Sequence, residues 1–213
     1  MDIRDEAMQL RNEKHQMIKT GLNAKMENSH DLAVVYTPGV AAPCLAIKEE
    51  EDKSLELTWR GNVVAVISDG TRVLGLGDIG PAAAMPVMEG KSALYKRFGN
   101  IDAIPIVLNT KDKDEIVRTI RILEKSFAGI NLEDFSSPKC YDIEDELKAT
   151  MNIPVFHDDQ HGTAIVVLAG IINALKVTKK EKETCRVVVN GAGSAGVAIT
   201  KLLLNYGFKD ITM

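Results

Sequence analysis

The apolar positions change period twice along the chain. At the start, Ile3, Ala7, Leu10, Met17 and Ile18 recur at close to helical spacing, which predicts an opening helix. Residues 31–43 (DLAVVYTPGVAAP) break that period, and Pro38, Gly39 and Pro43 predict a structured loop or turn there. The acidic run 49–52 reads as solvated surface. From residue 62 onward, short β-branched runs alternate with helical patterns. Strands are predicted at 63–67 (VVAVI), 73–76, 104–108 (IPIVL), 128–132 and 154–156. Helices are predicted at 89–98, 112–125 and 143–149, the second with Ile116, Val117, Ile120 and Leu123 on one face. Residues 162–175 (GTAIVVLAGIINAL) are apolar all round, which predicts a buried helix too short to span a bilayer. After a polar stretch, KVTKKEKETC, the chain runs strand (186–190), glycine turn, helix to Tyr206 and strand (210–213). The fold class is therefore α/β, closing on the opening of a Rossmann unit. The polar stretch is a natural domain boundary, and the apolar helix before it could belong to either side.

Composition narrows the functional classes. Of 213 residues, 45% are hydrophobic, enough for a sizeable core. A net charge of −4 without a basic stripe argues against nucleic-acid binding. Three scattered cysteines, Cys44, Cys140 and Cys185, form no CxxC pair, so a cysteine zinc site or a thioredoxin-like motif is not indicated. They read as free thiols of a reducing compartment. The charged N-terminus lacks the apolar core of a signal peptide, and neither membrane insertion nor secretion is expected. The expected compartment is the cytoplasm.

The glycine turn carries the sharpest local signal. Gly191, Gly193 and Gly196 follow a β-branched strand and open a helix, the context that a dinucleotide fingerprint requires. The first glycine permits the tight turn, the second close approach of a pyrophosphate, and the third close helix–strand packing. The free N–H groups at the helix start would hold the phosphates.

Two acidic pairs, Glu133-Asp134 and Asp158-Asp159, each follow a predicted strand. Ligands of open α/β sheets collect at the carboxyl ends of strands, and hard oxygen donors there suit Mg²⁺ or Mn²⁺. The competing reading is helix N-capping. His157 and His161 bracket the second pair at i, i+4 spacing, but no HExxH pattern accompanies them, and polar wall positions suit them better than zinc. Lys91, at the start of an apolar helix face, either snorkels or is a base whose pKa is lowered by nearby cations. Tyr36, in AVVYTPGV, reads in isolation as a core tyrosine with a satisfied hydroxyl.

Taken in order, YTPGVAAPC, SDGTRVLGLGDIGPAAAMPVMEGKSALYKRF, NLEDF, VFHDDQHGTA and VVVNGAGSAG resemble the motifs of malic enzymes, closest to the compact bacterial and archaeal type. The resemblance runs from about Leu32 to Gly196. It implies a substrate- and metal-binding α/β domain over 1–160, followed over 161–213 by the beginning of an NAD(P)-binding Rossmann domain. It further implies oxidative decarboxylation of L-malate to pyruvate and CO₂ with reduction of NAD or NADP. Tyr36 matches the general acid and Lys91 the general base. Glu133, Asp134 and Asp159 match the ligands of Mg²⁺ or Mn²⁺, and Asp158 matches a neighbouring site carboxylate. Gly191, Ala192, Gly193, Ser194, Ala195 and Gly196 match the cofactor loop. Arg72 falls where some members place an arginine on the substrate carboxylate. A homodimer or larger homo-oligomer is implied, with partners that share a site. Family chains continue through a full nucleotide domain, so this stretch by itself is expected to be inactive. The rival readings are a related metal-aided 2-hydroxy-acid or amino-acid dehydrogenase, separable by substrate screening, and a non-catalytic dimerisation or regulatory fragment.

Overall fold

The computed structural model describes residues 2–213. Three helices, α1 (Ile3–Lys14), α2 (Ser29–Val35) and α3 (Ala41–Glu49), lead into a single turn, α4 (Ser54–Leu57). Strands and helices then alternate: β1 (Val63–Ser68), α5 (Gly80–Gly99), β2 (Asp102–Val107), α6 (Lys113–Ile122), β3 (Gly129–Leu132) and α7 (Lys139–Thr150). They continue through β4 (Val155–His157), α8 (Asp158–Thr178), β5 (Arg186–Val188), α9 (Ser194–Tyr206) and β6 (Asp210–Thr212). The first four strands form one parallel sheet in the order β2-β1-β3-β4, and β5 and β6 form a separate parallel pair.

Local chemistry accounts for the main elements. β1 (VVAVIS) has no alternation because helices cover both of its faces. In α6 the Asp112 side chain accepts the Glu115 N–H at 2.8 Å, capping the helix, while Ile116, Val117 and Ile120 turn inward. α5 opens with Pro81 in its first turn, where no partner for a proline N–H is needed, and ends at Asn100 in the left-handed conformation. One face of the sheet packs Val63, Ala65, Ile67, Ile130 and Leu132 against Ile116, Ile120, Ile143 and Leu147 of α6 and α7. Each Val, Ile or Leu among them contributes roughly 1.5–3 kcal/mol on burial. On the other face, Met88 of α5 clusters with Val66 and Ala103.

This packing positions the strand ends. All four strands are parallel, so their carboxyl ends share one edge. Ile67 pairs with Leu132, and Leu132 with His157. The two acidic pairs that follow β3 and β4 therefore emerge side by side. The chain leaves β1 toward β2 and leaves β3 toward β4, in opposite directions across the sheet. That reversal opens a crevice at the carboxyl ends of β1 and β3, where ligands of open α/β sheets bind.

Four expectations need correction. Residues 73–76 form no strand: Val73 makes one isolated antiparallel bridge to Gly77 inside a turn. Gly77 has φ +77° and Leu74 has φ +49°, and such backbone cannot run on as a strand. Residues 31–43 are not one loop. Asn28 caps α2 by accepting the Asp31 N–H at 3.0 Å, the turn is confined to about Tyr36–Val40, and Pro43 sits in the first turn of α3. Here local capping outweighs the breaker signal of the prolines. The helix predicted from residue 89 starts nine residues earlier, running through Pro86. Finally, the apolar helix is neither short nor buried. α8 spans 21 residues, and by length and composition alone it could cross a membrane. Only Gln160 and Ala164 are buried, while Ile165, Val166 and Val177 are exposed. Its apolarity is plain in the sequence, but which surface covers it is not.

Candidate metal and substrate site

Glu133, Asp134 and Asp159 bring one carboxylate oxygen each to within 4.8 Å of one another. Among the described residues this is the one group of three or more His, Cys, Asp or Glu so arranged. Glu133 leaves β3 with its N–H donated to Ile67 O of β1 at 2.9 Å. Asp134 adopts φ +59°, a left-handed conformation that non-glycine residues hold only under constraint. Two bonds impose it: its N–H donates to Asp159 Oδ2 at 2.9 Å, and its carbonyl accepts the Arg72 N–H at 3.0 Å. Asp158 and Asp159 are the first two residues of α8, where the helix N-terminus favours negative charge, and neither caps it through its side chain. The capping alternative is thus not what these acids do.

Crowding of buried acids shows in their proton affinities. Burial, reinforced by Asp159 and Asp158 against Lys91 and Asn131, raises the Glu133 pKa to about 7. Burial and the Asp159 charge raise Asp134 to about 6. Asp159 moves the other way: burial pushes it up, but the adjacent His157 ring and the hydrogen bond from the Asp134 N–H prevail and its pKa is lowered. Asp134 Oδ2 is buried without any hydrogen-bond partner. A buried carboxylate oxygen without a partner is costly. A hard divalent cation would relieve both the orphaned oxygen and the repulsion, so the three carboxylates fit one.

Lys91 projects from α5 into the same cluster, with Nζ 2.5 Å from Asp158 Oδ2 and 3.1 Å from Glu133 Oε1. Burial pulls its pKa down, but the Asp158 hydrogen bond and the Glu133 and Asp158 charges overcome this, and the net shift is upward. The sequence reading anticipated a lowered value. The difference is physical: among the chain's own groups, carboxylates rather than cations face this ammonium group. Gly162, one turn into α8, leaves room for this pair. A Cβ there would lie 2.1 Å from Asp158 Oδ1.

The remaining candidates are less gathered. Arg72 adjoins the cluster through its backbone bond to Asp134, and its guanidinium donates to Leu74 O. Its charge lowers the Asp134 pKa slightly against the larger effects of burial and Asp159. Tyr36 is 70% exposed at the end of α2, which excludes a core role within this chain, and its hydroxyl meets no partner among the described residues. His157 and His161 do not join the carboxylate group. His157 is fully buried beside Asp159, and His161 pairs with Glu144 at 2.7 Å. The loop Gly191, Ala192, Gly193 is exposed and leads into Ser194, Ala195 and Gly196 of α9. Gly191 has φ +118°. A Cβ on Gly196 would fall 1.9 Å from Gly191 O, so only glycine lets the helix start this close to the turn.

Several residues of the site region escaped the sequence reading. Asp69, fully buried after β1, binds the Lys139 ammonium group and accepts from Thr71 Oγ1 at 2.6 Å. Thr71 Oγ1 in turn accepts the Ser136 N–H at 3.0 Å, clamping the loop that carries Glu133 and Asp134. Asn131 Nδ2 donates to Glu133 Oε2 at 2.9 Å, while Asn131 Oδ1 accepts from Tyr95 OH at 2.9 Å. Asp69 was within reach, since it too is an acid just past a strand at the same sheet edge. Nothing local marks Asn131 or Glu144.

Comparison with known proteins identifies the family. A family model described as the malic enzyme N-terminal domain matches residues 12–148, and one described as the malic enzyme NAD-binding domain matches residues 160–210. A bifunctional malic/malolactic enzyme of Bacillus subtilis is 53% identical over 213 residues, covering 100% of this chain and 52% of that protein. An NAD-dependent malic enzyme of Geobacillus stearothermophilus is 55% identical over 194 residues, 91% of this chain and 41% of that protein. The crystal structure of the NAD-dependent malic enzyme from Thermotoga maritima superposes with a TM-score of 0.93 at 49% identity, covering 96% of this chain and 54% of that one. The chain thus spans about half the length, or less, of the relatives it matches.

Proposed function

The chain belongs to the malic enzyme family, and from that premise we propose that the whole protein oxidises and decarboxylates L-malate to pyruvate and CO₂. NAD or NADP would take the hydride. Glu133, Asp134 and Asp159 would hold Mg²⁺ or Mn²⁺, which supplies Lewis-acid polarisation of the substrate oxygens. The single observation that carries this reading is the buried carboxylate triplet with its orphaned Asp134 oxygen, facing the Lys91 ammonium group.

The chain's own groups divide the proton work. Lys91 stands where it can take the malate hydroxyl proton, and Asp158 holds its Nζ in place. The chain's own carboxylates favour the charged lysine, so a neutral Lys91 would need the cation's charge beside it. Tyr36 is the proposed acid that returns a proton to carbon after CO₂ has left. The Gly191–Gly196 segment is the proposed seat of the cofactor phosphates, at the N-terminus of α9.

We further propose a homodimer or larger assembly in which partners share sites. In support, the N-terminal helical region exposes Leu32, Val34, Leu45 and Trp59 together with Tyr36. Neither a membrane nor a nucleic acid figures in this reading. α8 begins in the site and packs along α9, a place in the fold that suits a helix between domains. The three free thiols fit a cytoplasmic setting.

The test is malate-dependent formation of NADH or NADPH by the whole protein with Mn²⁺, repeated with chelator. Metal-dependent turnover on malate, and little on lactate, isocitrate or glutamate, is expected. Turnover indifferent to chelator would refute the metal assignment. Preference for another of these acids would refute the substrate.

A further inference from the structure

Behind Asp159 lies a buried polar chain that the reaction as proposed does not use. Glu144 of α7 is 3% exposed. Its Oε1 accepts the His157 backbone N–H at 3.3 Å and faces Lys148 Nζ and His161 Nε2, each at 2.7 Å. Its Oε2 accepts from Gln160 Nε2 at 2.8 Å. The same Gln160 nitrogen lies 2.9 Å from His157 Nδ1. Burial favours the neutral form of Glu144, but the bonds from Lys148 and His161 prevail and lower its pKa, so it is a carboxylate.

The donor inventory then determines the ring. A carboxylate only accepts, so Glu144 fixes which end of the Gln160 amide faces it: the NH₂ end. That NH₂ group has two hydrogens, one for Glu144 and one for His157. Nδ1 must accept the second, and the ring proton is left on Nε2. His157 is fully buried, and Nε2 has no aligned hydrogen-bond partner. It lies 3.4 Å from Asp159 Oδ2. The polar atom at the end of the chain is therefore a donor that stands beside a carboxylate of the triplet.

We propose that Glu144 is a positioning residue for the Asp159 carboxylate, acting through Gln160 to hold His157 as the tautomer that carries its proton on Nε2. The proposal rests on the reading of Asp159 as a metal ligand. Outer-shell partners of this kind orient a ligand, and their loss costs about 10–100-fold in metal affinity. Replacing Glu144 by glutamine frees the Gln160 amide to turn. Its oxygen would then face Nδ1, the proton would move there, and a lone pair would point at Asp159.

The test uses the full-length protein labelled with ¹⁵N at histidine, with His157 assigned by the signal lost in His157→Gln. In the metal-free wild type at neutral pH, a protonated Nε2 and a bare Nδ1 are expected; a proton on Nδ1 would overturn the proposal without any variant having to fold. Glu144→Gln should exchange the tautomer and weaken Mn²⁺ binding about 10–100-fold, read from free Mn²⁺ by electron paramagnetic resonance. Glu146→Gln, on the same helix but paired with Lys113 and outside the polar chain, should leave both readouts at wild-type values. Mn²⁺ bound equally by wild type and Glu144→Gln would overturn the role of Glu144 itself. A wild type that bound no Mn²⁺ would overturn the proposal at its premise, and the reading of the triplet with it.

Discussion

Lys91 and Asp158, 67 positions apart in sequence, meet at 2.5 Å and join helix α5 to the first turn of α8 across the carboxyl edge of the sheet. The pair sets the expected behaviour of Lys91→Ala. Malate turnover in the full-length protein should fall by about 10²–10⁴-fold, the usual worth of a positioned base. Mn²⁺ binding should survive, because Asn131 still holds Glu133 and the Asp134 N–H still holds Asp159. Steady-state rates and a Mn²⁺ titration check both halves, and near-normal turnover would show that the base is another group.

The raised carboxylates imply proton-linked metal binding. With Glu133 near pKa 7 and Asp134 near 6, the metal-free site holds protons that a cation must displace. Mn²⁺ affinity should therefore fall as pH drops through 7 and then 6, and calorimetry in buffers of different ionisation enthalpy should register proton release.

The same shifts have a consequence for stability, with a definite sign. A folded pKa above the ordinary 4.5 of Glu133 means that the native state binds more protons than the unfolded chain between about 4.5 and about 7. Stability of the metal-free protein from this group is thus greatest below that window and declines as pH rises through it. Lys91 opposes no part of this trend: its contribution is fully present below its ordinary 10.5 and is lost only as pH climbs through its higher folded value. Denaturant titrations at pH 5 and pH 7.5 with chelator test the ordering, and saturating Mn²⁺ should reverse it.

Gly162→Ala places a methyl group where Asp158 Oδ1 now sits. The carboxylate must swing away, and Lys91 loses its closest partner. Turnover should drop by up to about 100-fold, the scale of an ångström-sized misplacement. The circular dichroism spectrum should stay unchanged, since alanine suits a helix interior better than glycine. Full activity in this variant would show that the Lys91–Asp158 contact is dispensable.

Sharing of sites between partners makes its own prediction. Tyr36→Phe and Lys91→Ala, each nearly inactive, should regain activity when mixed and allowed to exchange subunits, because some mixed assemblies then hold one site with both residues intact. If Tyr36 serves the site of its own chain instead, mixing should restore nothing.

The β-branched run of β1, the short apolar runs of β3 and β4, the amphipathic face of α6 and the glycine turn at Gly191 were all legible in the sequence. Each is a local pattern whose period or turn chemistry selects one backbone. The acidic pairs and Lys91 were legible as candidates for the same kind of reason, by residue type and by place at strand or helix ends. Their convergence was not, because it depends on strand order and register: Leu132 must lie opposite His157 before Glu133 can approach Asp159. The upward shift of Lys91, the exposure of Tyr36 and α8, and the chain from Glu144 through Gln160 to His157 likewise belong to the tertiary structure alone. Proton affinity, exposure and tautomer are set by which groups stand within a few ångströms, and distant segments of the chain become such neighbours only when the sheet and its helices pack.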